Sequence, residues 1–215
     1  MLLTQLTDPA QLIGLLVALV VGITFHEFMH AFVADQLGDH RPRAMGRVSL
    51  NPTDHIDPIG AIFFLIAGFG WGKPVQVNPY ALRPGRFGMA YVAVAGPLAN
   101  LVVASVAAVV FRGVALAGVL DSPDNFVLRV VFAIVEFNVI LGLFNLLPVP
   151  PLDGYNLVLP FLPANIAYTV QRYAQYGVMV LLLLVLLPRL GGGGVNPLGW
   201  LFEAADTITL LLTGL

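Results

Sequence analysis

Four long apolar stretches, almost free of charged residues, limit what this chain can fold into. A helix rises about 1.5 Å per residue, so roughly 20 apolar residues cross a hydrocarbon core about 30 Å thick. Because a backbone in lipid must satisfy its own hydrogen bonds, such stretches predict transmembrane helices. They cover about Asp8 to Ala34, Phe87 to Phe111, Phe126 to Leu147 and Tyr173 to Leu187.

The overall composition agrees with a membrane protein. Hydrophobic residues make up 58% of the 215 positions and charged residues only 10%, whereas a soluble domain carries about 25% charged residues. A fifth apolar stretch, Pro197 to Leu212, contains Glu203 and Asp206 and fits either a span or a helix lying on the membrane surface. The net charge of −2 indicates no nucleic-acid partner. The absence of cysteine excludes disulfides and thiolate metal sites.

The segment between the first two apolar stretches predicts smaller elements. Ile59 to Phe69 is apolar but has only eleven residues, too few to cross the bilayer, so we expect a re-entrant segment. The runs Arg47 to Leu50 and Trp71 to Pro79 alternate polar and apolar residues, which is typical of short strands. The predicted fold is a membrane all-α bundle of about four to six transmembrane helices. Between its first two spans we expect a small β-strand or hairpin element together with the re-entrant segment.

A motif of ionisable residues lies near the end of the first apolar stretch. It reads His26-Glu27-Phe28-Met29-His30, and in a helix its two histidines lie one above the other on the same face. Two imidazoles at this spacing can bind one zinc ion, and the carboxylate of Glu27 can act as general base towards water. Three ionisable groups in an apolar helix are costly unless they have partners or a function.

A catalytic zinc site takes a third protein ligand, and sequence spacing alone leaves several positions open. Asp153 follows three prolines and precedes Gly154, so a rigid turn would present its carboxylate. The alternative is that Asp153 caps or starts that turn, a common role of aspartate. The candidates for the third ligand are Asp153, His55, Asp54, Asp57 and Glu136.

The basic residues predict an orientation in the membrane. Six of the ten lysines and arginines lie between the first and second spans, and the positive-inside rule places that segment in the cytoplasm. The N-terminus is then outside, and the first and third spans both run inward. The histidine motif and Asp153 should therefore reach a similar depth on the cytoplasmic side. The six basic residues are Arg41, Arg43, Arg47, Lys73, Arg83 and Arg86.

Four sequence blocks resemble, in their content and order, the site-2 protease family of intramembrane zinc metalloproteases. The resemblance covers roughly residues 22–154 and is to the compact bacterial and archaeal type, which has neither a PDZ nor a CBS domain. The blocks are HEFMH at His26–His30, GRVSLNPTDHIDPIG at Gly46–Gly60, AGPLAN at Ala95–Asn100 and NLLPVPPLDG at Asn145–Gly154.

The resemblance implies roles for individual residues. It implies that Glu27 activates the attacking water and that Asn145 polarises the scissile carbonyl or holds the oxyanion. His55 is expected near the site as a positioning or transition-state residue, and Asn100 as a hydrogen bonder between helices. One Zn2+ per chain is expected, and its implied ligands are His26, His30 and Asp153.

We therefore expect an intramembrane zinc metalloendopeptidase that cleaves within or near transmembrane segments of other membrane proteins. It would form a single domain over residues 1–215, with a catalytic core at about 8–154 and C-terminal helices at about 168–213. Its partners would be a transmembrane protein or peptide substrate and the lipid bilayer of the cell membrane, and a homo-oligomer is left open. The alternative functions are a membrane metal-ion transporter and a catalytically inactive adaptor that use the same site.

Overall fold

The computed structural model describes residues 8–67, 72–117, 125–190 and 196–215. All regular structure in these ranges is helical, and short 3-10 turns occur at Pro79–Ala81, Gly85–Phe87, Leu159–Phe161 and Ala174–Tyr176. The α-helices are α1 (Pro9–Gln36), α2 (Arg41–Ala44), α3 (Pro52–His55), α4 (Pro58–Ala67), α5 (Gly88–Leu116), α6 (Phe126–Asn145), α7 (Asp153–Val158), α8 (Ala164–Tyr173), α9 (Gly177–Leu190) and α10 (Gly199–Thr213).

Four helical segments are long and apolar enough to cross a membrane, as the sequence predicts. Their mean hydropathy lies between 1.6 and 2.2. They are Pro9–Gln36, Gly85–Leu116, Phe126–Asn145 and Ala164–Pro188. The fifth stretch forms α10, whose 15 residues extend only about 22 Å, less than the thickness of a bilayer core.

Helices α1, α5 and α6 form the centre of the bundle. The first turn of α1 is held to the start of α6 by an ion pair between Asp8 and Arg129, so these two helices begin at the same end and run parallel. Small residues let the helices approach closely. A Cβ at Gly14 would lie 2.5 Å from the Cβ of Ala133, and one at Gly142 would lie 3.2 Å from the carbonyl oxygen of Pro97.

The C-terminal helices pack onto this centre through two apolar clusters. One joins α10 to α5 and α6, and its buried members are Ala104, Ala108, Val135, Val139 and Ala205. The other joins α9 and α10 to the loop that follows α6, and its buried members are Leu147, Leu152, Leu181, Leu198 and Leu201. The second cluster therefore supports the proline-rich loop from which Asp153 emerges.

The predicted β element is not confirmed, because the described part of the chain between α2 and α5 contains no strand. Residues 68–71, including Trp71 at the start of the second predicted strand, lie outside the described residues. The amide of Lys73 donates to the carbonyl of His55 at 2.7 Å, and the guanidinium of Arg47 donates to the carbonyls of Asp54 and Pro74. The alternating polar and apolar residues favour an extended backbone. The hydrogen bonds, however, join it to the carbonyl of a helical turn and to the side chain of Arg47, and not to another strand.

The predicted re-entrant segment is represented by α4. Its ten residues extend about 15 Å, half the thickness of a bilayer core, so this helix is too short to cross the membrane. The last two residues of the predicted segment, Gly68 and Phe69, lie outside the described residues. Whether α4 enters the membrane and turns back stays a prediction.

Candidate metal centre

The two histidines of the HEFMH motif lie on one face of α1, where the helix meets α5. Each is only 7% exposed. Their Nε2 atoms are 2.9 Å apart, and their rings meet edge to face. The face is open enough for both rings because position 96 on α5 is glycine.

The structure places the carboxylate of Asp153 directly against these two rings. Its Oδ2 lies 3.0 Å from Nε2 of His26 and 3.2 Å from Nε2 of His30. Asp153 is the first residue of α7, and Gly154 behind it packs so closely on the carbonyl of Leu146 that a Cβ would overlap that oxygen. The turn after Asn145 therefore needs glycine to aim the carboxylate at α1.

Hydrogen bonds on the far side of each ring define which nitrogen faces Asp153. Nδ1 of His30 lies 2.7 Å from the carbonyl oxygen of Val92, which can only accept, so this nitrogen carries the hydrogen. Nδ1 of His26 lies 2.7 Å from Oδ1 of Asn100 and donates to it likewise. In the neutral imidazoles both Nε2 atoms then present lone pairs.

These lone pairs fit a metal ion. Oδ2 of Asp153 is buried without a hydrogen-bond partner among the described residues, since the nearby Nε2 atoms have no hydrogen to give. Three electron-pair donors at 2.9 to 3.2 Å would repel one another without a cation between them. Zinc with bonds of about 2.0–2.1 Å would hold tetrahedral ligands roughly 3.3 Å apart, slightly more than the 2.9 to 3.2 Å between these donors. Two histidines and one carboxylate are also a donor set that zinc prefers.

Glu27 follows His26 directly on α1, is half-buried, and contacts a different part of the chain. Its Oε1 is 3.5 Å from the position that a Cβ on Gly72 would take. The carboxylate therefore borders the irregular segment that begins at residue 72. His55 lies behind the same segment, because its carbonyl accepts from Lys73 and would lie 3.1 Å from that Cβ.

The ring of His55 is completely buried but is not part of the donor cluster. Its Nε2 donates to the carbonyl of Ser49 at 2.7 Å, and its Nδ1 has no hydrogen-bond partner among the described residues. Asn145 ends α6, and its amide donates one of its two hydrogens to the carbonyl of Leu141 at 2.9 Å. Within the described ranges no acceptor takes the second hydrogen, which can therefore bond another group.

The remaining candidates for a third ligand do not join this group. Among the described residues, the histidines and carboxylates whose ligand atoms gather within 4.8 Å of one another are His26, His30 and Asp153. Asp57 instead accepts from the amides of Ile59 and Gly60 at the start of α4.

The sequence did not indicate that the AGPLAN block forms one wall of the site. It predicts Asn100 as a hydrogen bonder between helices, but not that its partner is the ring of His26. Gly96 is one turn earlier on the same face of α5, and a Cβ there would lie 2.5 Å from Nε2 of His30. The helical spacing of Gly96 and Asn100 predicts that they share a face of α5. A single sequence does not show that this face contacts the two histidines of α1.

Gly96→Ala should therefore obstruct the site. The added methyl would come within 2.5–2.7 Å of both imidazoles, and overpacking of this kind costs about 1–3 kcal/mol. We expect the zinc content of the purified protein, measured by atomic absorption, to fall well below one per chain. Gly113→Ala is the matched control, since a Cβ at this position of α5 meets nothing within 4 Å and zinc content should not change.

Comparisons with known proteins agree with this geometry. A profile of "Peptidase family M50" matches residues 114–187, which include Asp153. The chain is 36% identical over 181 residues to "Putative zinc metalloprotease YwhC" of Bacillus subtilis (strain 168), covering 81% of this chain and 80% of that protein. The chain belongs to peptidase family M50. It is accordingly a zinc metalloprotease of the site-2 type, with Zn2+ as its cofactor and four apolar helices that indicate a multi-pass membrane protein.

Further relatives match over nearly the whole chain. "Putative zinc metalloprotease Rip2" of Mycobacterium tuberculosis (strain ATCC 25618 / H37Rv) is 30% identical over 210 residues, covering 93% of this chain and 78% of that protein. The protein of the same name from Mycolicibacterium smegmatis is 28% identical over 216 residues, with 95% and 80% covered. No solved structure matches the chain at a significant level.

Proposed function

We propose that this M50 peptidase cleaves peptide bonds within or near transmembrane segments of other membrane proteins. In this proposal His26, His30 and Asp153 hold one zinc ion and Glu27 is the general base. The observation that carries it is the convergence of three lone-pair donors inside the bundle, at the end of an apolar helix long enough to span a membrane. A site at this place is reached by a substrate that is itself in the membrane.

The proposed chemistry follows from the residues around the donors. Zinc, when bound, supplies Lewis acidity that makes water nucleophilic near neutral pH and polarises a carbonyl. Glu27 takes the proton from the attacking water and passes it to the leaving amine nitrogen, because it is one residue from a ligand and outside the ligand set. Asn145 directs its second amide hydrogen to the developing oxyanion.

The irregular segment after residue 71 is the proposed place for the substrate backbone. A transmembrane helix hides its carbonyls in its own hydrogen bonds, so the substrate has to unwind before attack. Residues 72–78 form no strand with another described segment, and Gly72 borders Glu27. We propose that this segment pairs with the extended substrate by strand addition, and that α4 is the re-entrant element next to it. His55 positions the segment through its carbonyl bond to Lys73.

The site end of α1 is proposed to face the cytoplasm. Just after α1, the guanidinium of Arg41 donates two hydrogen bonds to the buried Asp39, at 2.9 and 3.0 Å. These hydrogen bonds lower the pKa of the Asp39 carboxyl to about 2, so the pair stays charged at neutral pH and belongs at a water-facing end. Basic residues concentrate in this part of the chain, which favours the cytoplasmic side and an outside N-terminus.

Two other functions for the same site are less well supported. An ion transporter needs polar groups at several depths of the membrane and paired broken helices, whereas the metal-ligand donors found in the described ranges gather at one place. An inactive adaptor has no use for the carboxylate of Glu27 beside the donors.

Cleavage by the purified protein tests the proposal. The full chain in detergent or liposomes is incubated with a panel of transmembrane-helix peptides, with and without a zinc chelator. We expect at least one peptide to be cut inside or next to its apolar segment, as read from product masses. Chelation should stop the reaction and added zinc should restore it. Products that persist in chelator, or cuts confined to soluble tails remote from the apolar segment, would contradict the proposal.

A further inference from the structure

Two buried asparagines lie behind the ring of His26, on the side away from Asp153. Asn100 of α5 and Asn138 of α6 are both 0% exposed. The Nδ2 group of Asn100 donates to the carbonyl of Gly22 on α1 at 3.1 Å and to Oδ1 of Asn138 at 3.2 Å. The Nδ2 group of Asn138 donates to the carbonyl of Ile134 at 2.9 Å. The hydrogen bonds thus connect the three central helices.

The direction of these hydrogen bonds is determined at the α6 end. Because the Nδ2 of Asn138 is used by the carbonyl of Ile134, its Oδ1 faces Asn100 and accepts. The Nδ2 of Asn100 must then donate, which turns its Oδ1 towards His26. Nδ1 of His26 must therefore donate to Asn100, and the lone pair on its Nε2 faces Asp153.

The absence of a side chain at Gly22 leaves room for the two amides between the three helices. A Cβ at Gly22 would lie 2.6 Å from Oδ1 of Asn138 and 3.2 Å from Nδ2 of Asn100, so a side chain at position 22 would displace both amides. Two fully buried amides in an apolar bundle cost free energy unless they are hydrogen-bonded. Polar groups of this kind can hold helices together in a membrane, but here the series of bonds ends on an imidazole of the metal centre.

We propose that Asn138, acting through Asn100, is a positioning residue that fixes the tautomer and orientation of His26 and thereby sets the affinity for zinc. The inference rests on the proposed metal site but not on the proposed substrate. Partners of metal-binding histidines typically change metal affinity by about 10–100-fold when they are removed. Substitution of Asn100, which bonds the ring directly, should change zinc affinity more than substitution of Asn138, which acts through Asn100.

Zinc affinity of the full chain in detergent tests the inference, with Kd measured by competition against a chromophoric chelator. Asn100→Leu should weaken zinc binding by about 10–100-fold, and Asn138→Leu by about 3–10-fold. Asn138→Asp should bind zinc more tightly than Asn138→Leu, because its carboxyl still offers an oxygen that accepts from Nδ2 of Asn100. If Asn100→Leu does not fold, the two substitutions at position 138 decide the question.

The unfolding temperature of the metal-free protein separates positioning from a purely structural role. Thr213→Val is the matched control, since it removes a buried side-chain hydrogen bond on α10, to the carbonyl of Thr209, that has no connection to His26. We expect it to lower the unfolding temperature without changing the Kd. The inference is overturned if Asn138→Leu leaves the Kd within twofold of the parent, whether or not the unfolding temperature falls. A parent protein that binds no zinc would instead refute the metal site itself.

Discussion

Glu27→Gln should reduce peptide-bond cleavage by about 10²–10⁴-fold or more while the protein keeps one zinc per chain. Glutamine has the size of glutamate but cannot take a proton from water, so the general base is removed without opening a cavity. The three donors that face one another belong to other side chains and are unaffected. Initial rates on a cleaved transmembrane peptide, together with zinc content of the same preparation, measure both halves of the prediction.

Glu203→Gln provides the matched control, because it removes an exposed carboxylate on α10, a helix that contributes none of the three donors. Its rate and zinc content should equal those of the parent. If Glu27→Gln cleaved at a rate within threefold of the parent, Glu27 would not be the base. If zinc were lost together with activity, the carboxylate would instead be supporting the metal. An ion transporter would keep its flux in this variant.

The sequence predicted the helices of this chain well because apolar length is a local property. The first predicted span, Asp8 to Ala34, corresponds to α1 at Pro9–Gln36, and the third, Phe126 to Leu147, to α6 at Phe126–Asn145. Local signals also define the ends. The side chain of Asp8 accepts from the amide of Ala10 at the start of α1, with Pro9 in the first turn.

The predicted β element depended on information that the sequence does not contain. Alternation around Val48 indicates an extended backbone, but a strand exists only when a neighbouring edge pairs with it. The closest backbone partner of the second segment is the carbonyl of His55 at the end of α3, a single hydrogen bond from Lys73. The polar alternation here serves contacts of Arg47 and Lys73 with nearby carbonyls.

The part of the site that depends on local sequence was predictable, as the helices were. The helical spacing of His26 and His30 is local, so their common face followed from the motif alone. The spacing left five candidates for a third ligand, because separation along the chain says little about proximity in the fold, and Asp153 is more than 120 residues from His30. Only the packing of α6 parallel to α1 brings Asp153 to the histidines. The resemblance correctly implied Asn100 as a hydrogen bonder between helices, but its partners Asn138 and His26 depend on three helices meeting and were not predicted.

Asp153→Ala should remove both zinc and activity, which distinguishes it from Glu27→Gln. Its carboxylate contacts both Nε2 atoms from a separate part of the chain, and two histidines alone leave zinc with too few protein ligands. Since outer partners of zinc ligands already change affinity by about 10–100-fold, loss of a direct ligand should weaken binding by at least about 100-fold. Competition with a chelator measures the Kd, and the rise in unfolding temperature on adding zinc should disappear.

Asp206→Ala is the control for this substitution, because it removes an exposed carboxylate from α10 and should leave the Kd unchanged. If the Asp153→Ala variant still bound one zinc per chain with the Kd of the parent, the ion would be held elsewhere. The first place to look would then be His55, whose buried Nδ1 has no hydrogen-bond partner among the described residues. His55→Leu in the Asp153→Ala background would then abolish zinc binding, whereas under the present assignment zinc is already lost before His55 is changed.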